Sequence, residues 1–302
     1  MGFSALTDRA KTGPPQRMAV AWPADAQVLQ AAADAQAAGL LEEVYLAGRT
    51  REVHAIAEEA AVDLKPFILM EAQTPEEAAL VSVELVRNGK ASVLMKGLVN
   101  TSTLLRAVLD RDRGLRTGKL LSHIAIIEFP GPRLRLLTDG GMNIAPDLEE
   151  KARILENAGE LAELLDMPNP KAAVLASVEL VNSNMPATMD AAVLTQMNQR
   201  GQLCIPMDVD GPLAYDNAVS GEAAEHKGIC SRVAGQADIL LVPEITAGNV
   251  LYKSLVYTAG LDSAGLVWGA LAPIVLTSRA DSRGTKLNSI AAACRACQEG
   301  GA

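Results

Sequence analysis

The stretch APIVLTSRADSRGTKLNSI occupies residues 272–290 of a chain of 302 residues. Its apolar, β-branched run at 273–276 predicts a buried strand, and the polar residues 277–282 predict a loop before a helix that begins near Thr285. Parallel α/β proteins bind ligands in such loops, at the carboxyl ends of buried strands. We therefore expect an α/β fold in which this loop, together with others like it, lines one cleft.

Strands and helices alternate through the first 119 residues. Apolar runs predict strands at 17–21, 41–47, 67–70 and 92–95, and a helical segment follows each of them. This alternation predicts a parallel sheet with helices on both faces. The composition agrees, because 49% hydrophobic residues with only 3% aromatic ones suit small side chains packed closely on a buried sheet.

A second domain is predicted after residues 111–119, where a charged, glycine-containing segment breaks the alternation. A length of 302 residues is also more typical of two domains than of one. The pattern beyond the break predicts strands 123–129 and 134–138 as antiparallel neighbours, strands 172–177, 237–242 and 269–276, and helices 146–165, 187–199, 218–226 and 250–258. Both parallel and antiparallel pairing are therefore expected.

Charge and cysteine usage limit the classes of function. The net charge is −9 with a pI near 5.0, and the absence of a Lys/Arg-rich block argues against nucleic acid as the main partner. The longest apolar run, 264–276, is too short to span a bilayer, and the N-terminus has no apolar signal region. The pair Cys294 and Cys297 lies in an alanine-rich helix without a second cluster. We therefore predict no metal site and a cytoplasmic protein with reduced thiols.

Three segments that follow strands carry the candidate site residues. They supply cations, hydroxyls, glycines and carboxylates: Lys96, Thr101 and Arg106; Glu244, Gly248, Asn249 and Lys253; and Ser278, Arg279, Asp281 and Lys286. Helix N-termini, cations and glycine turns are suited to a phosphate-bearing substrate.

A structural explanation is the alternative for each segment. Lys96 and Arg106 could be solvated, and Glu244, Asn249 and Lys253 could mark a helix start or a buried ion pair. No G-x-G-x-x-G, Walker A, H-E-x-x-H or G-x-S-x-G motif occurs. The residues alone thus indicate an α/β enzyme that acts on an anionic, phosphorylated substrate.

Five blocks, in the same order, resemble the phosphate acetyl/butyryl transferase family, and its butyryl branch more than its acetyl branch. They are KGLVNTSTLLRAVLD (96–110), LTDGGMNIAPD (137–147), DGPLAYDNAVSGEAAEHKGI (210–229), ADILLVPEITAGNVLYKSLVY (237–257) and APIVLTSRADSRGTKLNSIA (272–291). The resemblance implies reversible transfer of a short-chain acyl group, butyryl or acetyl, between CoA and inorganic phosphate. It also implies direct attack in a ternary complex, acyl-CoA and phosphate as partners, and no tightly bound cofactor.

The family further implies an architecture. This is the fold of the isocitrate/isopropylmalate dehydrogenases, with two α/β domains, an interdomain cleft, and assembly into a homodimer or higher homo-oligomer. Domain I is expected to comprise 1–119 plus 270–302, and domain II the inserted segment 120–269.

Residue roles are implied by the same resemblance. Arg106 and Arg279 match arginines that bind phosphate, and Ser278 matches a serine expected to stabilise the transition-state oxyanion. The Ala-Gly-Asn-x-x-Tyr-Lys block at 247–253 matches as well.

Two positions depart from the acetyl branch. Thr285 stands where that branch has an Asp proposed as the base for the CoA thiol, and Tyr257 stands where it has an Arg. Because Thr285 cannot act as a strong base, Asp281, the nearest carboxylate, is our hypothesis for that role. A non-catalytic, acyl-CoA-sensing regulatory protein of the same fold is the alternative, and Ser278 and Arg279 favour catalysis over it.

Overall fold

The computed structural model describes residues 1–299, which form alternating helices and strands of the predicted α/β class. In chain order the elements are α1 (Phe3–Thr12), β1 (Gln16–Ala21), α2 (Ala26–Ala37), β2 (Leu41–Gly48), α3 (Thr50–Glu59), β3 (Phe67–Glu71), α4 (Pro75–Arg87), β4 (Val93–Lys96), α5 (Thr101–Val108), β5 (Ser122–Phe129), β6 (Arg133–Thr138), α6 (Leu148–Leu164), β7 (Lys171–Leu175), α7 (Pro186–Gln199), β8 (Asp208–Leu213), α8 (Tyr215–Val219), α9 (Gly221–His226), β9 (Ile239–Leu241), α10 (Ile245–Lys253), β10 (Ser263–Trp268), β11 (Ile274–Val275) and α11 (Arg283–Glu299). A short π-helical segment, Ser254–Thr258, continues α10.

Side chains just before the helices explain where several of them begin. The Asp25 carboxylate accepts a hydrogen bond from the Val28 N–H at 2.9 Å, before α2. At α6, Asp147 and Glu150 form a reciprocal capping box. Such caps pair N–H groups that the first turn of a helix leaves unbonded, so the polar residue before each apolar run fixes the helix start.

The chain divides into two compact units. The first contains Met1–Lys119 and the chain from Ser263 onward, and the second contains Leu120–Asp262. The family resemblance implies a later limit at 269 rather than at 262. The seven intervening residues include β10, which belongs to the first unit because it pairs antiparallel with β11, Leu266 opposite Val275.

The strand order in the first unit is β3-β2-β1-β4-β11-β10, and all neighbours are parallel except β10 and β11. The chain leaves β1 for β2 on one side and reaches β4 on the other. Ala21 lies opposite Lys96, and Val275 lies opposite Met95, so the carboxyl ends of β1, β4 and β11 coincide. This edge is the point where the strand order reverses, the usual ligand site of a doubly wound sheet.

The second unit has the strand order β5-β6-β9-β7-β8. Strands β5 and β6 are antiparallel, as the sequence predicts, and the remaining neighbours are parallel. Its core includes Ile127, Leu137, Ala173 and Leu240, all nearly or fully buried, from four successive strands of the order.

Helix α1 is an element that the sequence analysis does not predict. Its buried residues Phe3, Leu6 and Ala10 are spaced three and four apart, which places them on one face. Gln298 of α11 donates through Nε2 to the carbonyl oxygens of Ala10 at 2.7 Å and Pro14 at 3.0 Å. The spacing of these apolar residues in the sequence therefore indicates a helix, and packing on α11 stabilises it.

Three predicted element limits are wrong. The predicted strand 269–276 is reduced to β11, Ile274–Val275, and β10 precedes the predicted range. Gly269, with a φ of 102°, lies in the left-handed region that glycine tolerates at the turn between β10 and β11. The helix 218–226 is two helices, because Ser220 has an extended backbone and caps α9 with its side chain. The helix 250–258 begins earlier, at Ile245. Among the described residues, no helix has both the length and the apolar character needed to cross a membrane.

Candidate active site

The loop after β11 is a tight turn closed by Asp281. The Ser278 N–H donates to Asp281 Oδ2 at 2.6 Å, and the Asp281 N–H donates to the Ser278 carbonyl at 3.2 Å. Asp281 is 6% exposed, whereas Ser278 and Arg279 are exposed. The buried carboxylate thus holds the backbone of a turn that directs Ser278 and Arg279 outward.

Lys286, in the first part of α11, holds this turn from the inside. It is 2% exposed, and its Nζ donates to the Asp281 carbonyl at 2.5 Å and to Gln27 Oε1 at 3.3 Å. Burial lowers the pKa of Lys286, and the neighbouring carboxylates of Asp25 and Asp281 partly offset that effect. The turn is therefore connected to the start of α2 through one buried amine.

Lys96 is the last residue of β4 and is 5% exposed. Its Nζ donates to two carbonyl oxygens, those of Gly97 and Val99, each at 3.3 Å. Burial lowers the pKa of Lys96, and the nearby cations of Arg279 and Lys286 lower it further.

Gly97 allows the ends of β4 and β1 to approach closely. A Cβ at this position would lie 2.2 Å from the Trp22 carbonyl oxygen. The Gly97 N–H donates to the Ala21 carbonyl at 2.9 Å, and the Leu98 N–H donates to the Trp22 carbonyl at 2.7 Å. Close packing against Trp22 therefore requires a glycine at position 97. This glycine also fixes the direction of the backbone that follows Lys96.

These groups meet at a small cavity at the carboxyl ends of β1, β4 and β11. The cavity has a volume of about 10 Å³, and Asp25, Lys96, Ser278, Arg279 and Lys286 are among the residues that line it. The site therefore combines three basic side chains with two hydroxyl residues, Thr277 and Ser278, and one lining carboxylate. Such an excess of positive charge favours a bound anion.

Helix α5 supplies a neighbouring surface. Arg279 Nη2 donates to Asn100 Oδ1 at 3.0 Å, which brings the guanidinium to the residue just before α5. Thr101 is the first residue of that helix and is partly exposed. Arg106 is exposed in its last turn, and within residues 1–299 it has no hydrogen-bond or ion-pair partner.

Thr285 and Asp281 differ in what they offer as a base. Thr285 is buried, and its Oγ1 lies 3.2 Å from Ser282 Oγ in a hydroxyl–hydroxyl hydrogen bond. Asp281 is a carboxylate, but one of its oxygens already accepts the Ser278 N–H. The contacts of Asp281 therefore favour a role in holding the turn.

Four predicted site residues lie in the second unit, on or next to α10. Glu244 is the N-cap of this helix, and its carboxylate accepts the N–H groups of Thr246 at 2.7 Å and Ala247 at 2.8 Å. These hydrogen bonds lower the pKa of Glu244. Lys253 is exposed at the end of the helix. Glu244 therefore marks a helix start, which is the structural alternative given for this residue.

Gly248 and Asn249 lie inside α10 rather than in a loop before it, so that part of the prediction is wrong. A Cβ on Gly248 would lie 2.7 Å from Gly140 Cα and 2.9 Å from Val242 Cγ2. Asn249 Nδ2 donates to the Gly140 carbonyl at 3.3 Å. Both residues therefore pack the helix against the loop 139–143.

Asp139 organises that loop, a role that the sequence analysis does not assign. Asp139 is 2% exposed. Its carboxylate accepts hydrogen bonds from the N–H groups of His123 at 3.0 Å, Gly141 at 2.8 Å and Met142 at 2.8 Å, and from Asn143 Nδ2 at 2.7 Å. Asp followed by two glycines was the available signal, because a short carboxylate often binds the backbone of the turn that follows it.

In the cysteine pair of α11, Cys294 is buried and Cys297 is half-buried. Burial raises the pKa of Cys297 to about 12 and raises that of Cys294 as well. Thiols with raised pKa values are poor nucleophiles and poor metal ligands at neutral pH. Within the part of the chain that the structure describes, no group of three or more His, Cys, Asp or Glu residues is arranged to hold a metal ion.

Known proteins resemble this chain over most of its length. The family described as "Phosphate acetyl/butaryl transferase" matches residues 68–294. The phosphate butyryltransferase of Clostridium acetobutylicum is 46% identical over 96% of this chain and 96% of its own. The phosphate acetyltransferase of Thermotoga maritima is 44% identical over 96% of this chain and 98% of its own.

A solved structure agrees with these matches. The branched-chain phosphotransacylase of Enterococcus faecalis V583 superposes with a TM-score of 0.83 at 33% identity, over 93% of this chain and 98% of that one. The fold and the matches define an α/β acyltransferase. The chain belongs to the phosphate acetyl/butyryl transferase family, as the sequence analysis predicts.

Proposed function

We propose that this protein transfers a short-chain acyl group, butyryl or acetyl, reversibly between CoA and inorganic phosphate. The observation that carries the proposal is the Ser278–Asp281 turn, which directs a serine and an arginine outward beside buried Lys96 and Lys286. Relatives named for butyryl and for acetyl transfer are similarly identical to the chain, at 46% and 44%, so identity does not select the acyl group.

Ser278 and Arg279 take the two central roles. The Oγ of Ser278 accepts the Ala280 N–H at 3.3 Å, which leaves the hydroxyl hydrogen available to an oxyanion. When CoA thiolate attacks the acyl carbonyl of an acyl phosphate, negative charge develops on the carbonyl oxygen, and this hydroxyl stabilises it. The Arg279 guanidinium binds the phosphate, because its planar N–H groups match phosphate oxygens.

Transfer proceeds by direct attack in a ternary complex. The acyl group passes from the phosphate oxygen to the CoA sulfur without an acyl-enzyme. Arg106 and Thr101 on α5 extend the anion-binding surface. The exposed Lys253 of the second unit also binds substrate in this proposal. Lys96 lines the cavity beside Ser278 and Arg279, and its position assigns it to the substrate-binding residues.

Further properties belong to the same proposal. The protein acts in the cytoplasm as a homodimer or higher homo-oligomer, uses acyl-CoA and phosphate as substrates, and needs no tightly bound cofactor. Size-exclusion chromatography with light scattering measures the oligomeric state, and a mass of one chain in solution would contradict that part.

A CoA-release assay over a series of acyl-CoA lengths tests the central proposal. We expect phosphate-dependent thiol release with acetyl-, propionyl- or butyryl-CoA, and arsenate-dependent loss of the same acyl-CoA. The length with the highest kcat/KM identifies the acyl group, because one methylene changes discrimination by roughly 1–3 kcal/mol. Tight binding of acyl-CoA without turnover would instead indicate a sensing protein and would remove the assignment.

A further inference from the structure

Lys96 has an unusual set of hydrogen-bond partners for a buried amine. Its Nζ contacts two carbonyl oxygens, those of Gly97 and Val99, and among residues 1–299 no carboxylate pairs with it. Isolating an ammonium from water without a carboxylate is unfavourable. A neutral amine has two N–H groups, one for each carbonyl, and a lone pair that remains free to accept a proton.

The charged groups around Lys96 come from three segments. Arg279 and Asp281 lie on the turn after β11, Lys286 lies on α11, and Asp25 precedes α2. Burial and the two cations lower the pKa of Lys96, and the two carboxylates raise it by less. The net effect is a pKa for Lys96 below the ordinary lysine value, which is the direction a general base requires.

We propose that Lys96 is the general base that accepts the proton of the CoA thiol, an inference that rests on the proposed acyl transfer. In the step, the S–H bond breaks and an N–H bond forms on Nζ. The sulfur electron pair forms the S–C bond to the acyl carbonyl carbon, and the C–O bond to phosphate breaks with its pair on the phosphate oxygen. In the reverse direction the Lys96 ammonium returns the proton to the leaving thiolate.

The position of Lys96 suits this role. It lines the same cavity as Ser278 and Arg279, so the proton acceptor lies beside the groups assigned to the oxyanion and the phosphate. The cavity volume of about 10 Å³ is close to the space of one water molecule, so proton transfer over a direct contact or through one water fits the site.

Neither of the two residues that the sequence comparison raises for this role, Asp281 and Thr285, is as well placed. The carboxylate of Asp281 accepts the Ser278 N–H at 2.6 Å and holds the turn. The Thr285 hydroxyl hydrogen-bonds to Ser282 and has no basic group to offer. Lys96 fills the role that the departure at Thr285 leaves open.

Three substitutions separate a base from a fixed positive charge. Lys96→Met removes both, Lys96→Arg keeps the charge but cannot accept a proton at neutral pH, and Lys96→Ala leaves space for a small amine. Lys90→Met is the matched control, because Lys90 is exposed and precedes the same strand. Circular dichroism and the thermal midpoint of each variant check that it folds.

We expect Lys96→Met and Lys96→Arg to lower kcat for thiolysis of the acyl phosphate by about 10²–10⁴-fold at pH 7. The loss in Lys96→Met shrinks as the pH passes the ordinary thiol pKa of about 8.5, because the thiol then ionises without help. Methylamine or ethylamine should restore activity to Lys96→Ala in proportion to the unprotonated amine, so the rescue increases with pH.

Other results would overturn the inference. Near-normal kcat in Lys96→Arg, or rescue of Lys96→Ala that follows the protonated amine, would assign Lys96 to charge-based anion binding. Normal kcat in Lys96→Met would remove any chemical role. The wild-type assay separates the two proposals, because absence of acyl transfer with every acyl-CoA contradicts the proposed function itself.

Discussion

The backbone N–H of Ser278 and the carboxylate of Asp281 form a 2.6 Å hydrogen bond across the turn that follows β11. Asp281 is 6% exposed, and its own carbonyl accepts Lys286 Nζ at 2.5 Å. The side chain that the sequence suggests as a base is therefore also the group that fixes the direction of Ser278.

Asp281→Asn should keep kcat/KM within about tenfold of wild type, with the same pH dependence from pH 6 to 9. The amide oxygen of Asn can still accept the Ser278 N–H, whereas Asp281→Ala removes the acceptor. That loss should lower kcat further and destabilise the fold by about 1–3 kcal/mol. If Asp281→Asn abolishes the acidic limb of the pH profile while Asp281→Ala does no more, the carboxylate is the base and the assignment of Lys96 is wrong.

Ser278→Ala should reduce kcat by about 10²–10³-fold, the usual effect of removing one oxyanion donor. The KM values for acyl phosphate and CoA should change little, because the hydroxyl acts mainly in the transition state. Ser4→Ala, at an exposed position of α1, is the control and should behave as wild type. A proportional rise in KM with unchanged kcat would show instead that Ser278 binds the ground state.

Lys96→Met should increase the free energy of unfolding at pH 7, although it removes activity. Burial lowers the pKa of the folded-state amine, so below that pKa the folded protein carries a charge that its environment disfavours. In the window between the folded pKa and the unfolded value of about 10.4, the unfolded state binds more protons, and wild-type stability rises with pH. The advantage of the variant should therefore decrease as the pH rises.

Urea unfolding of wild type, Lys96→Met and Lys90→Met at pH 6, 7.5 and 9 measures this effect. The exposed Lys90 should give no pH-dependent difference. A Lys96→Met variant whose relative stability is lowest at pH 6 would contradict the lowered pKa of Lys96, because it would mean that the fold favours the charged form.

Gly248→Ala should destabilise the second unit by about 1–3 kcal/mol, because the added Cβ would lie 2.7 Å from Gly140 Cα. Gly221→Ala is the matched control in the same unit. A Cβ there meets nothing within 4 Å, and alanine favours the helix by up to about 1 kcal/mol. Thermal unfolding of both variants gives the comparison, and equal midpoints would show that loop 139–143 moves aside without cost.

Local sequence patterns determined the alternation of the first unit and the position of the Ser278-Arg279 turn. Strands β1 to β4 fall within about one or two residues of the predicted limits, because a buried strand and the helix after it each have a short-range signature. The short-range pattern did not predict the strands of the run 264–276 correctly. A continuous apolar run has no period, and only Gly269 marks the hairpin of β10 and β11.

Tertiary structure alone decided which charges meet. Lys96, Lys286 and Asp25 are far apart in the chain, and they converge because Ala21 pairs with Lys96 and Val275 lies beside Met95 in the sheet. Burial of an amine and its partners depends on that register, which no local pattern encodes. Similarly, Gly248 reads as a loop residue in the sequence, and its packing on Gly140 depends on where α10 begins. Local patterns thus predict the class of fold and the turn that carries Ser278 and Arg279, whereas the register of the sheet places Lys96 beside them as the side chain that can accept a proton.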